Sequence, residues 1–283
     1  MRSTGKGIFM QAHLIQTDIV WEDKRANYQQ VEELLAGSAG RVGRGDLIVL
    51  PELFDTGFSF DMTKTHDGEG HTLRFLCRLA KQHKCCVVGS RTRLGPDGKG
   101  RNCCPVIGPD GQVLAEYAKI HPFSIGKESE CFAGGTEIVV LPAGVGDGGV
   151  EGASVGTGLE MSLAPTVCYD LRFPELFRKA TLRGAEVFTM IANWPGVRAM
   201  HRRTLSIARA IENQAFFVSL NRCGRDPNHV YDGGSLVIDP TGQVIGECDD
   251  KPQVLSVTLD RSVLVDWRGK FGALRDIKLI AAE

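Results

Sequence analysis

Two segments in opposite halves of this chain read almost as copies of each other. They are Val106-Ile107-Gly108-Pro109-Asp110-Gly111-Gln112-Val113-Leu114-Ala115-Glu116 and Val237-Ile238-Asp239-Pro240-Thr241-Gly242-Gln243-Val244-Ile245-Gly246-Glu247. Each is an apolar pair, a proline-containing tight turn and a Gly-Gln-Val continuation, which is the pattern of a β-hairpin. Turns of this kind are common, so either hairpin alone says little. The constraint comes from their placement, because each follows a series of strand-like and helix-like stretches. Two similar halves, stacked together, satisfy that arrangement.

The stretches between them support an α/β fold. Ile8 to Gln16 reads as a first strand, and Tyr28, Val31, Leu34 and Leu35 have helical spacing closed by Gly37. Leu47 to Leu50 is a continuous apolar run, as in a strand buried on both faces. Leu73, Leu76, Cys77 and Ala80 mark one face of a second helix, and Cys85 to Ser90 the next strand. In the second half, Met161 to Val167, Glu186 to Ala192, Phe216 to Leu220 and Val254 to Leu259 read as strands. Leu205, Ala208, Ile211 and Ala215 mark a helix face. Alternating strands and helices place helices against a sheet. Residues 142–160 are rich in glycine and read as a loop or insertion. No Pro/Ser-rich linker divides the chain, so 1–283 is expected to form a single domain.

The formal net charge of -1 gives no general electrostatic reason to bind nucleic acid or a membrane surface. The segment Met1 to Gly7 leads into a run too short and too polar for a signal peptide or a membrane span. The nine cysteines, an odd number, and the absence of any Asn-x-Ser/Thr site predict a reducing, cytoplasmic setting. Cys85-Cys86 and Cys103-Cys104 are adjacent pairs whose members face opposite sides of a strand, so they read as small apolar residues and not as metal ligands.

Chemistry collects where three apolar runs end. Glu52 follows Leu47 to Leu50, Lys119 follows the first hairpin, and Cys168 follows Met161 to Val167 at a strand-to-helix turn. Groups at neighbouring strand ends of an α/β sheet converge on one crevice. Taken singly, the three read as a loop carboxylate, a solvated lysine and a structural thiol. Together they make a nucleophile, a base and a cation. In that set Lys119, with the amides of the turn, lowers the thiol pKa and stabilises an oxyanion, while Glu52 moves protons. The matching reaction is acyl transfer through a thioester, amide plus water giving acid plus ammonia.

The blocks Leu50-Pro51-Glu52-Leu53-Phe54, Lys119-Ile120-His121-Pro122-Phe123 and Val167-Cys168-Tyr169-Asp170-Leu171-Arg172-Phe173-Pro174 resemble the three signature blocks of the nitrilase superfamily, the carbon-nitrogen hydrolases, in that family's order. The resemblance extends over nearly the whole chain. It implies a four-layer α-β-β-α sandwich of two stacked mixed sheets and a catalytic set of Glu52, Lys119 and Cys168, with no cofactor or metal. It also implies a second glutamate after the lysine, for which Glu128 matches and Glu130 competes, and a backbone N–H of Tyr169 facing the oxyanion. Further blocks, among them Gln16 to Asp23, Thr56-Gly57-Phe58, Asn193-Trp194-Pro195 and Ala208 to Gln214, are most similar to the omega-amidase branch. The implied substrate is a small ω-amide such as 2-oxoglutaramate. Nitriles, N-carbamoyl compounds, an acyl acceptor other than water and a non-catalytic binding role are the competing readings.

Asn193 and Trp194 would wall the pocket, with Trp194 equally able to serve as core. Arg209 and Glu212 read as a buried structural pair. The resemblance implies a homodimer or higher homo-oligomer built on Pro174 to Leu182, with Phe173, Leu176 and Phe177 serving either as its apolar contacts or in the chain's own core. One departure stands out: the family's Tyr-x-Gly-Asp-Ser block reads Tyr231-Asp232-Gly233-Gly234-Ser235, so Gly234 replaces the aspartate.

Overall fold

The computed structural model describes residues 8–38, 42–144 and 157–280. The first half runs β1 (Phe9–Gln16), α1 (Lys24–Gly37), β2 (Leu47–Val49), α2 (Met62–Thr65), α3 (His71–His83), β3 (Cys86–Val88), β4 (Arg91–Leu94), β5 (Gly100–Ile107), β6 (Val113–Ala118) and α4 (Glu128–Cys131). The second half runs β7 (Leu163–Val167), α5 (Pro174–Leu182), β8 (Val187–Ala192), α6 (Ala199–Asn213), β9 (Phe216–Asn221), β10 (Cys223–Arg225), β11 (Val230–Asp232), β12 (Leu236–Ile238), β13 (Val244–Glu247), β14 (Gln253–Asp260) and α7 (Arg261–Lys270).

β10 and β11 pair as a separate antiparallel ribbon, and the other twelve of these strands form two mixed sheets. One is 7-stranded, ordered β14-β1-β2-β3-β5-β4 with β6 paired to β5; the other is 5-stranded, ordered β13-β12-β9-β8-β7. β1, β2 and β3 are parallel to one another, as are β7, β8 and β9. The period of two along each strand sets the layers. In the first sheet Ala12, Leu14, Leu47, Val49, Cys86 and Val88 point into a core shared with the second sheet, while Ile15, Ile48, Leu50, Cys85 and Val87 point the other way, under α1 and α3. Cys85 and Cys86 therefore divide between the two faces, as their adjacency requires. The side chains of β2 are fully buried, and each contributes roughly 1.5–3 kcal/mol of hydrophobic stabilisation. With α5 and α6 packed on the second sheet, the molecule is an α-β-β-α sandwich.

The two hairpins are structural counterparts. β5–β6 shifts register between Val106 and Ile107, and β12–β13 between Val237 and Ile238. Each turn closes with a backbone bond from the first turn residue, Gly108 N to Gln112 O and Asp239 N to Gln243 O. Each places a glycine in the left-handed region, Gly111 at φ 78° and Gly242 at φ 93°.

Some expectations change. The buried face of α6 is Arg202, Ser206, Arg209, Ala210 and Asn213, not the aliphatic stripe, and Ile211 is 51% exposed. An apolar pattern misleads here because the helix faces its sheet with hydrogen-bonded arginines. Leu176 and Phe177 are buried in the chain's own core, while Phe173 is half-buried and stacks on His121. Of the glycine-rich stretch, 145–156 lies outside the described residues. Its flanks pair with each other, Gly158 N to Gly144 O, and Leu141 bonds reciprocally to Leu163 at the start of β7. At Gly234 a Cβ would lie 2.9 Å from Nη2 of Arg202. Arg202 is buried, donates to the carbonyls of Gly233 and Gly234, and is pulled down to about 10 chiefly by burial. Among the described residues no helix is long and apolar enough to cross a membrane.

Candidate active site

Glu52, Lys119 and Cys168 stand just past the ends of β2, β6 and β7. The first two belong to one sheet and the third to the other, so the face-to-face packing of the sheets brings them together. Glu52 is fully buried. Its Oε1 accepts from Lys119 Nζ at 3.0 Å and from Asn102 Nδ2 at 2.8 Å, and its Oε2 accepts from the backbone N–H of Asn193 at 2.8 Å. Asn102 lies on β5, and its carbonyl also accepts the Lys119 N–H, so one residue aligns both charges.

Lys119 Nζ donates to both oxygens of Glu128 at 2.9 Å, and the Phe58 ring lies 5.3 Å away. Burial alone would lower this ammonium, but Glu128 and then Glu52 outweigh burial and hold it above its ordinary value. Glu128 is itself raised, first by burial. Glu130 is exposed, so Glu128 is the glutamate that meets the lysine.

Cys168 opens a short 3-10 turn, Cys168–Arg172, with φ 47°. That conformation is uncommon for a residue with a side chain. Asp170 holds it: its buried carboxylate accepts from Val167 N, from Tyr117 Oη at 2.7 Å and from both the backbone and Nδ1 of His121. Tyr117 and His121 flank Lys119, so Asp170 ties the cysteine's turn to the lysine's strand end. Arg209 grips the same turn through the Leu171 carbonyl while pairing with Glu212 at 2.9 Å. The pair is structural, as expected.

The thiol lies within hydrogen-bonding reach of Glu52, and burial followed by the Glu52 charge keeps it well above its usual range. Lys119 pulls the other way and is outweighed. The expected lowering by Lys119 is present but smaller than the rise from burial and the Glu52 charge. A thiol of this kind needs a base at the moment of attack, and Glu52 is placed to be one. Tyr169 is in the first turn of the 3-10 segment, where an amide has no partner within the helix.

Cys168, Lys119 and Asn193 line a cavity of about 600 Å³ with walls from Phe58, Phe123, Tyr169, Trp194 and Tyr231. Trp194 is both wall and core: it is 3% exposed, and its Nε1 donates to the Arg198 carbonyl. Asn221 at the end of β9 clamps the Asn193-Trp194 turn through both the N–H and the C=O of Trp194. Asn102, Tyr117, Asp170 and Asn221 were not singled out by sequence reasoning for these roles. Among the described residues there is no group of three or more His, Cys, Asp or Glu side chains that could hold a metal.

Residues 11–269 match the model of the carbon-nitrogen hydrolase family. An omega-amidase YafV of Yersinia enterocolitica is 33% identical over 93% of this chain and 94% of its own. A 2-oxoglutaramate amidase of Bacillus subtilis is 31% identical over 93% of this chain and 96% of its own. Among solved structures, a CN-hydrolase superfamily protein of Xanthomonas campestris, with an arsenic adduct in its active site, superposes with a TM-score of 0.84 at 31% identity, covering 96% of this chain and 98% of that one.

Proposed function

The chain belongs to the carbon-nitrogen hydrolase family, and we propose that it hydrolyses the terminal amide of a short dicarboxylate monoamide, of the 2-oxoglutaramate kind, through a thioester on Cys168. The observation that carries this reading is that Cys168 and Lys119 line one cavity while Lys119 is held between Glu52 and Glu128 at 2.9–3.0 Å. The similarity to omega-amidases supports the substrate class.

In the proposed cycle the amide carbonyl carbon sits over Cys168. Glu52 takes the thiol proton as sulfur bonds to that carbon, and the carbonyl oxygen becomes an oxyanion facing Lys119 and the Tyr169 N–H. Moving the proton from thiol to Glu52 changes neither the number nor the sign of the charges beside Lys119, so little reorganisation accompanies it. Glu52 then gives the proton to the amide nitrogen, the C–N bond breaks and ammonia leaves a thioester. Glu52 next takes a proton from water, whose oxygen adds to the thioester carbon. Collapse expels the Cys168 sulfur, which recovers the proton. The sum is amide plus water giving acid plus ammonia, with no cofactor consumed. Glu128 acts through Lys119, holding the ammonium in place. The proposed unit is the whole of 1–283, since neither half holds all three groups.

The test is ammonia release from 2-oxoglutaramate by the wild type and by Cys168→Ala. Each proton transfer is worth ~10²–10⁴-fold, so the variant should be silent. Undiminished release by Cys168→Ala would overturn the mechanism, and no release by the wild type would overturn the amidase assignment.

A further inference from the structure

We propose that the groove between α1 and α3, on the outer face of the first sheet, binds an oligophosphate: a chain of adjacent phosphate groups, such as a nucleoside triphosphate carries. The inference stands apart from the amidase reading, because no residue that lines this groove lines the cavity of Cys168. His71, Arg74, Arg78 and Lys81 recur at intervals of three and four residues, so they share one face of α3. That stripe extends about 15 Å along the helix. Lys24 and Arg25 open α1 beside it. These six side chains line a cavity of about 780 Å³ together with Tyr28, Phe75 and Cys77. A volume of this order is that of a small-molecule site. The lining holds no carboxylate, in a chain with 33 basic and 34 acidic residues, so the charge here is a local concentration and not a general excess.

The floor of the groove is aromatic and fixed. Tyr28 stacks on Phe75 with ring centroids 4.4 Å apart, and its hydroxyl lies 2.8 Å from that of Thr72. Phe75 is buried, and the Arg78 guanidinium lies 5.4 Å from its ring centroid. An apolar floor under charge of one sign concentrates the field within a cleft. Part of the rim is held in place from outside the lining. Lys24 donates to the carbonyls of Thr65 and His66 and lies 3.7 Å from Asp55; Arg78 pairs with Glu32 at 2.8 Å, and His71 with Glu69 at 2.7 Å. Arg74 donates to the Glu69 carbonyl and meets His71 Nδ1 at 2.9 Å.

The remainder of the charge is unanswered. Among the described residues Arg25, Arg74 and Lys81 have no carboxylate at ion-pair distance. They come from the start of α1 and from the two ends of the α3 stripe, so the surplus is spread along the groove and not gathered at one point. Guanidinium forks and ammonium groups both take phosphate oxygens. A lone carboxylate or monophosphate would meet one or two of these cations. Several phosphates on one chain meet them in succession, and the Tyr28–Phe75 floor leaves an apolar surface for a flat ring attached to that chain.

The experiment titrates tripolyphosphate, ATP and inorganic phosphate into the full chain by isothermal calorimetry. The proteins are the wild type, the double variant Arg25→Gln/Lys81→Gln, and Lys270→Gln, which removes an exposed charge on α7 outside the groove. The wild type should bind one tripolyphosphate saturably and more tightly than inorganic phosphate. An exposed charge pair is worth about 0.2–1 kcal/mol, so the double variant should bind tripolyphosphate about 2- to 30-fold more weakly. Lys270→Gln should match the wild type. ATP binding more tightly than tripolyphosphate would identify a nucleotide seated on the aromatic floor, and equal affinities would identify the bare phosphate chain; both uphold the site. Absence of saturable tripolyphosphate binding would overturn it. So would inorganic phosphate binding as tightly, or a loss in Lys270→Gln equal to that in the double variant. Circular dichroism checks the fold of each variant, and should the double variant not fold, the two single variants decide.

Discussion

Cys168 sits in a backbone conformation that costs a non-glycine residue about 1–3 kcal/mol, and Asp170 is the restraint that keeps it there. A second buried carboxylate, Asp55, lies three residues after Glu52 and has a different consequence. Burial pushes its carboxyl up to about 6, against the opposing pull of Lys24 at 3.7 Å and of the Thr72 hydroxyl. The folded protein therefore holds this proton more tightly than the unfolded chain does. The contribution to stability is fully present below about pH 4 and is lost as pH rises through about 6. A shift of about two units corresponds to ~3 kcal/mol. Asp55→Asn, permanently neutral, removes the dependence. Urea unfolding at pH 4.5 and 7.5 should show the wild type losing up to ~3 kcal/mol relative to Asp55→Asn as pH rises. A relative gain with pH would contradict the assignment.

The two hairpins show what a matching element requires. Gly242 has φ 93°, and a Cβ there would lie 2.4 Å from Ile211, the α6 residue that leaves the sheet face and covers the turn. Gly184 has φ 96° with nothing within 4 Å of such a Cβ. Gly242→Ala should therefore destabilise by ~1–3 kcal/mol, and by more than Gly184→Ala, where only backbone strain acts. Denaturation midpoints check the order, and ammonia release should be unchanged, since the Gly242 turn does not line the cavity. The same elements show how far the chain could be read in advance. The hairpin echo, the buried run Leu47–Leu50 and the groups ending β2, β6 and β7 are local patterns, and they were legible. Asn102, Tyr117 and Asp170 were not, because Asn102 joins non-consecutive strand ends of one sheet, and Tyr117 and Asp170 meet only when the two sheets stack. The α6 face misled because Arg202 and Arg209 are buried on it, satisfied by the carbonyls of Gly233, Gly234 and Leu171. β4 carries the polar sequence Arg91-Thr92-Arg93-Leu94 and gives no apolar signal of a strand.

Over the whole molecule, the core between the sheets belongs to both halves, and β14 of the second half pairs along the length of β1. Neither half can lose its structure without exposing the other's apolar face. Urea unfolding should therefore be one transition, with fluorescence from Trp21 in the first half and from Trp194 and Trp267 in the second changing together with far-UV circular dichroism. Two resolved transitions would show the halves to be separable. The stacked core also encloses thiols. Burial raises Cys85, Cys86, Cys103 and Cys104, and it raises Cys168 as well, with the Glu52 charge adding to it. Peroxide and alkylating agents attack thiolates. In the proposed cycle the thiolate of Cys168 forms only while a carbonyl is there to receive it, so a resting thiol held above its usual range would present little of that target between turnovers.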